Sequence, residues 1–180
     1  MTAPEYIQLR AFARYDGLKL FVLWLLSFVL YLAGPRVPFL GVAAGPLAAI
    51  TPLVAYQLLR HYRDEGLGGV VSMGRGWVYV VFLFFYTSLL FALAQFVYFA
   101  FLDKGYFVGA IGDMLNEPAT AASLRQLGMQ EQVSEALALY QQMRPIDLVL
   151  DILTTNLMIG CALGLPVAAI AARSRTRKVK

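Results

Sequence analysis

Four long apolar runs divide the chain: Leu18 to Ala33, Phe39 to Leu59, Trp77 to Leu102 and Ile146 to Ala172. A bilayer's hydrocarbon core of about 30 Å asks for roughly 20 helical residues, so each run is expected to cross a membrane as a helix. The first run is the shortest. Lys19 can extend it by snorkelling, with Tyr15 and Tyr31 at the two interfaces. Arg10, Arg14 and Lys19 also fit the charged head of a secretory signal. Pro35 directly after Gly34, and Leu32 where a cleavage site wants a small residue, favour a retained anchor that turns through Gly34-Pro35-Arg36 into the second run. Between the third and fourth runs, "QEQVSEALALYQQM" places Val133, Ala136, Leu137, Tyr140 and Met143 on one helical face, and Gly128 separates it from "ATAASLRQL". Such a face can pack on the chain's own spans, lie on the membrane surface or bind a partner. The expected fold is all-α: one membrane domain over residues 1–180, with four transmembrane helices and a helical segment at 103–145 outside the membrane.

Composition agrees with this pattern, since 59% of the residues are hydrophobic and 14% charged, against about 25% charged in ordinary soluble domains. The charge distribution orients the chain. Arg10, Arg14 and Lys19 precede the first run; Arg60, Arg63 and Arg75 lie between the second and third; Arg173, Arg175, Arg177, Lys178 and Lys180 follow the fourth. These eleven basic residues face four on the other side, Arg36, Lys104, Arg125 and Arg144. The positive-inside rule then puts both termini and the 60–76 loop in the cytoplasm and residues 103–145 outward. The net charge of +4 comes from residues flanking apolar runs, which suits a membrane surface and excludes nucleic acid as the expected partner.

Inside the membrane, the second run carries Gly41-x-x-x-Gly45 and the fourth Gly160-x-x-x-Gly164, continued by Ala168 and Ala172. Small residues at this spacing let another helix backbone approach, within the chain or in a homo-oligomer. Pro46, Pro52 and Pro166 are candidate kinks. The third run is rich in large aromatics and offers a broad surface to lipid or a partner.

Catalytic candidates are few. Asp147 and Asp151 in "IDLVLDIL" stand four apart on one helix face, where one carboxylate can perturb the other. A carboxylate at membrane depth is a functional candidate by default, yet acidic groups in the first turns of a helix also serve its dipole. Gln95, Thr154, Thr155 and Asn156 can line a polar site beside Asp151 or simply tie helices together. Cys161 is the only cysteine and His61 the only histidine. No zinc site built mainly from these residue types and no disulfide within the chain is available. No catalytic residue, metal or cofactor is assigned, and Cys161 reads as a packing residue.

The 62–77 stretch "YRDEGLGGVVSMGRGW" contains five glycines between two apolar runs. It matches neither the Walker A nor the dinucleotide-binding glycine pattern and lies between membrane helices, so it reads as an elbow. Gly66, Gly68 and Gly69 are expected at positive φ, and Ser72 is expected to cap a helix starting near Met73. Trp77 is placed at the interface, and Arg60, Arg63 and Arg75 are placed against Asp64, Glu65 or lipid phosphates. Together with the aromatic third run, the segment containing "LGMQEQVSEALALYQQM" and the basic tail, this stretch resembles the bacterial "domain of unknown function 4199" membrane family, found mainly in Bacteroidetes. The resemblance covers most of the chain and is best from Leu58 onward, with Arg-Asp followed by Gly-Gly its most specific part. It implies a small four-span inner-membrane protein and carries over no catalytic residues. The expected role is a non-enzymatic accessory or scaffold subunit among lipids and other membrane subunits. The alternative is a small transporter, or an enzyme acting on a lipid-linked substrate through Asp147 and Asp151.

Overall fold

The computed structural model describes residues 1–34 and 37–172. The Gly34-Pro35-Arg36 turn and the basic residues Arg36, Arg173, Arg175, Arg177, Lys178 and Lys180 used in the charge argument fall wholly or partly outside them. The described residues form eight α-helices and no strand: α1 (Ala3–Ala33), α2 (Pro38–Ala49), α3 (Thr51–His61), α4 (Met73–Val97), α5 (Tyr106–Asn116), α6 (Pro118–Gln126), α7 (Gln130–Gln142) and α8 (Pro145–Ala171). Single π-turns, Tyr62–Gly66 and Tyr98–Leu102, follow α3 and α4. Three helices are long and apolar enough to cross a membrane: α1, α4 with its π-turn, and α8. The bent α2–α3 pair makes a fourth span if counted as one. The chain is therefore an all-α integral membrane protein. It divides into two compact units, residues 1–91 with 153–172, and residues 92–152.

In the first unit, α1 starts at Ala3, well ahead of the apolar run at Leu18. Its extra turns are held by Pro4 in the first turn and by Glu5, whose carboxylate accepts the Thr2 N–H at 2.7 Å. Leu9 and Ala13 then join the core while Arg10 and Arg14 stay exposed. The second span is not one straight helix. Its halves are bent by 41° at Ile50, because Pro52 has no N–H to offer the Ala48 carbonyl. Thr51 Oγ1 donates to that carbonyl at 2.7 Å and accepts from Trp24 Nε1 at 3.0 Å. The break thus leaves no orphaned acceptor there, as an apolar surrounding demands.

Helix α4 begins at Met73, where Ser72 Oγ accepts the Arg75 N–H at 3.3 Å. Its aromatic side chains do not all face outward. Phe84 and Phe91 meet Trp24 of α1 edge to face at 5.7 and 5.5 Å, and Phe91 also meets Phe28. On the α8 side the small residues meet α4 directly. A Cβ at Gly160 would lie 2.5 Å from the Cβ of Phe84, and one at Gly164 would lie 3.0 Å from the Trp77 ring, while Ala168 sits against Gly76. The second run behaves differently. Gly41 packs on Gly34, where a Cβ on either would come within 2.9 Å of the other's Cα, while Gly45 faces open space.

The second unit contains the segment 103–145, which forms three helices. The first of them, α5, is a helix that Gly109 and Gly112 obscure in the sequence. Gly112 is buried, and a Cβ there would touch Leu137 of α7 at 3.4 Å. The Val133, Ala136, Leu137, Tyr140 stripe of α7 faces α5 and the first turns of α8.

Replacing Gly160 with Ala is expected to destabilise the folded state by about 1–3 kcal/mol, because Phe84 cannot withdraw its own Cβ. Gly45→Ala should leave stability nearly unchanged. Thermal unfolding of the detergent-solubilised variants compares the two.

Candidate functional site

The elbow after α3 gathers the densest set of polar contacts in the first unit. Helix α3 passes into the π-turn Tyr62–Gly66, and the chain then reverses through Gly68 and Gly69 at φ +65° and +88°. Gly66 is not at positive φ. It lies inside the π-turn, where a Cβ would press on the Tyr62 ring at 3.0 Å. The Gly69 N–H closes the reversal on the Arg63 carbonyl at 2.9 Å.

Arg63 points inward and is only 2% exposed. Its Nε and Nη2 fork onto the two Asp64 oxygens at 2.7 and 3.1 Å, and Nη1 donates to the Ala171 carbonyl at 3.1 Å. A guanidinium thereby satisfies one of the unpaired carbonyls that end α8, where the helix dipole is negative. Arg75, also mostly buried, donates to Tyr62 Oη at 3.2 Å and to Glu5 at 3.2 Å. Tyr62 stacks on Tyr79 at 4.8 Å between ring centroids. Tyr79 donates to Asp16 Oδ2 at 2.6 Å, and Lys19 Nζ reaches Asp16 Oδ1 at 2.8 Å. Glu5, Arg75, Tyr62, Tyr79, Asp16 and Lys19 thus form one chain of contacts tying α1, the π-turn and α4.

Of the residues expected at the lipid interface, only Arg60 is freely exposed, at 60%, with Asp64 at 3.5 Å. Arg63 is spent internally, and Arg75 turns inward with Nε and Nη1 bonded while Nη2 is buried without a partner. Trp77 rests in the α8 packing and donates to the Cys161 carbonyl at 3.1 Å. The reason is shared: each has a carboxylate, phenol or free carbonyl within reach inside the fold. Asp16, which the sequence reading passes over, is 1% exposed. Its signal was the Asp16–Lys19 spacing of three beside an apolar run, which puts both on one helix face.

The expected polar site around α8 takes a different form. Asp147 is half-buried and holds Arg144 through two bonds of 2.7 and 2.9 Å. Asp151 is exposed and accepts from Tyr140 Oη at 3.2 Å. Burial pushes the Tyr140 phenol above its ordinary value, and the Asp151 carboxylate adds to the shift, so this hydroxyl stays a donor. The two carboxylates have separate partners and no bond to each other. Gln95 is buried in α4, Thr154 and Thr155 are exposed on α8, and Asn156 is half-buried. Among the described residues no three His, Cys, Asp or Glu side chains gather as a metal site would require.

A family model described as "Protein of unknown function (DUF4199)" matches residues 15–173, and the chain belongs to that family. The match includes the Arg63-Asp64 pair and Gly68-Gly69. No curated protein and no solved structure matches the chain.

Arg63→Lys retains the charge but cannot hold Asp64 and the Ala171 carbonyl together. It is expected to lower the unfolding midpoint and open the elbow to limited proteolysis. Arg60→Lys should stay within about 0.5 kcal/mol of the parent, as for other exposed positions.

Proposed function

We propose that this member of the family is a non-enzymatic accessory or scaffold subunit of a larger assembly in the bacterial inner membrane. The observation that carries the reading is how the ionisable groups are spent. Asp16, Arg63 and Asp147 each answer a partner in the same chain through hydrogen bonds of 2.6 to 3.1 Å. Catalytic and transport sites keep such groups in a cleft, poised towards a substrate. Here Asp16 and Arg63 hold helices together, and Asp147 holds the residue just ahead of its own helix. Meanwhile α1 presents Leu18, Val22, Leu26 and Val29 along one exposed face, which suits lipid or the helix of another subunit. Both termini and the elbow are cytoplasmic in this proposal, and residues 103–145 face outward, following the basic residues around the spans.

Photo-crosslinking from Val22, followed by extraction in mild detergents, is expected to capture another membrane subunit. A solitary monomer in every detergent, with no crosslinked neighbour, overturns the scaffold role. The alternative of transport, or of lipid-linked chemistry through Asp147 and Asp151, makes the opposite demand. The Asp147→Asn, Asp151→Asn double variant should keep both the crosslink and full function in cells, whereas loss of function with intact assembly would favour that alternative.

Topology is checked with single cysteines in a Cys161→Ala background. An impermeant maleimide should label Ser123→Cys in intact cells, and Glu65→Cys only after lysis.

A further inference from the structure

The second unit holds two half-open recesses that the scaffold role does not use. A chamber of about 370 Å³ lies between α5, α7 and the first turns of α8. Its walls are apolar, with Phe107, Ile111, Val133, Leu137 and Ile152 among them, and Tyr140 contributes the one hydroxyl. A second chamber of about 270 Å³ adjoins it and shares Val108, Tyr140 and Leu148 as a common wall. That one is polar at its far side, where Asp103, Gln141 and the backbone of Gly105 and Gly109 line it. The Asp103 carboxylate is anchored there by the N–H groups of Gly105 and Phe107 at 3.1 and 2.8 Å.

We propose that the paired chambers hold one acyl chain of a membrane phospholipid, with its polar end towards Asp103 and Gln141. Three observations select this occupant. The larger chamber lies in the range of small-ligand sites, and like them it is apolar with a polar group at one side. Water in it would find few partners, whereas hydrocarbon would meet carbon along its walls. Ile152 in its wall belongs to α8, a helix long and apolar enough to cross a membrane, and Phe101 and Leu102, which directly precede Asp103 in sequence, are about 70% exposed. Lipid chains are therefore the apolar solvent at hand.

An acyl chain is one methylene wide and can run from one recess into the other along their shared wall of Val108, Tyr140 and Leu148.

The test uses the full chain in nanodiscs of phosphatidylethanolamine and phosphatidylglycerol, with a diazirine-tailed lysophosphatidylcholine as the probe. Adducts are expected on peptides spanning 106–116 and 130–142, and excess unlabelled lysophospholipid should suppress them about tenfold. Ala136→Phe fills the larger chamber and should remove the adducts while labelling of α1 persists. Should that variant fail to fold, the saturation measured on the parent chain still decides. Labelling that rises with bulk lipid and never saturates overturns the proposal. So does labelling of these peptides by a diazirine fatty acid but not by the lysophospholipid, or a crosslinked second polypeptide in their place.

Discussion

The fold turns on a single buried cation. Arg63 carries its charge into the first unit, and such a charge is tolerated only where its donors are used. Asp64, next in sequence, takes two of them, and the Ala171 carbonyl at the end of α8 takes a third. The first partner is local and costs almost no loop closure. The second lies more than a hundred residues away in sequence and fixes where the last helix ends against the elbow. The pair supplies register more than net stability, because taking the Arg63 guanidinium out of water offsets much of its attraction to the half-exposed Asp64. The glycine reversal at Gly68 and Gly69 lets the chain turn directly after presenting the arginine.

Around that point, helix contacts follow the rules of an apolar solvent. Lipid offers no hydrophobic drive for two apolar helices to meet, so close packing and hydrogen bonds must supply it. Gly160 and Gly164 bring α8 onto Phe84 and Trp77 of α4, and Gly17 brings α1 within a Cβ's contact of Tyr86. Thr87 Oγ1 then reaches the Gly17 carbonyl at 3.1 Å. The α2–α3 break obeys the same constraint, since Thr51 replaces the donor that Pro52 lacks. Most polar side chains inside the first unit thus answer backbone groups or one another, Ser88 Oγ and Arg75 Nη2 being buried without a partner.

The second unit is built otherwise. Its helices are short, α6 and α7 bury no residue fully, and α5 holds only Gly112 in that state. The apolar stripe of α7 is therefore spent on lining a chamber, with Tyr140 at its edge bonded to Asp151. Asp151 looked like half of a carboxylate pair on α8, but a phenol from another helix claims it. Local spacing cannot foresee such a partner.

Hydropathy alone determined that the chain is helical and membrane-embedded, because about 20 apolar residues in a row have few other stable states. The start of α4 was equally legible, since Ser72 and the following run carry the cap and the helix within a few residues. The small-residue stripe of α8 announced close packing, but not that Phe84 and Trp77 would fill it. Nothing in the pattern separated Gly41, pressed on Gly34, from Gly45, which touches nothing. Arg63 was expected against Asp64, Glu65 or a lipid phosphate and takes Asp64, while the inward turns of Arg75 and Trp77 were not legible, because a flanking cation or indole suits a lipid headgroup and a buried partner equally well. Only tertiary structure brought Asp16 to Tyr79 and Arg63 to Ala171, because those partners lie 63 and 108 residues apart and meet only once the helices have packed.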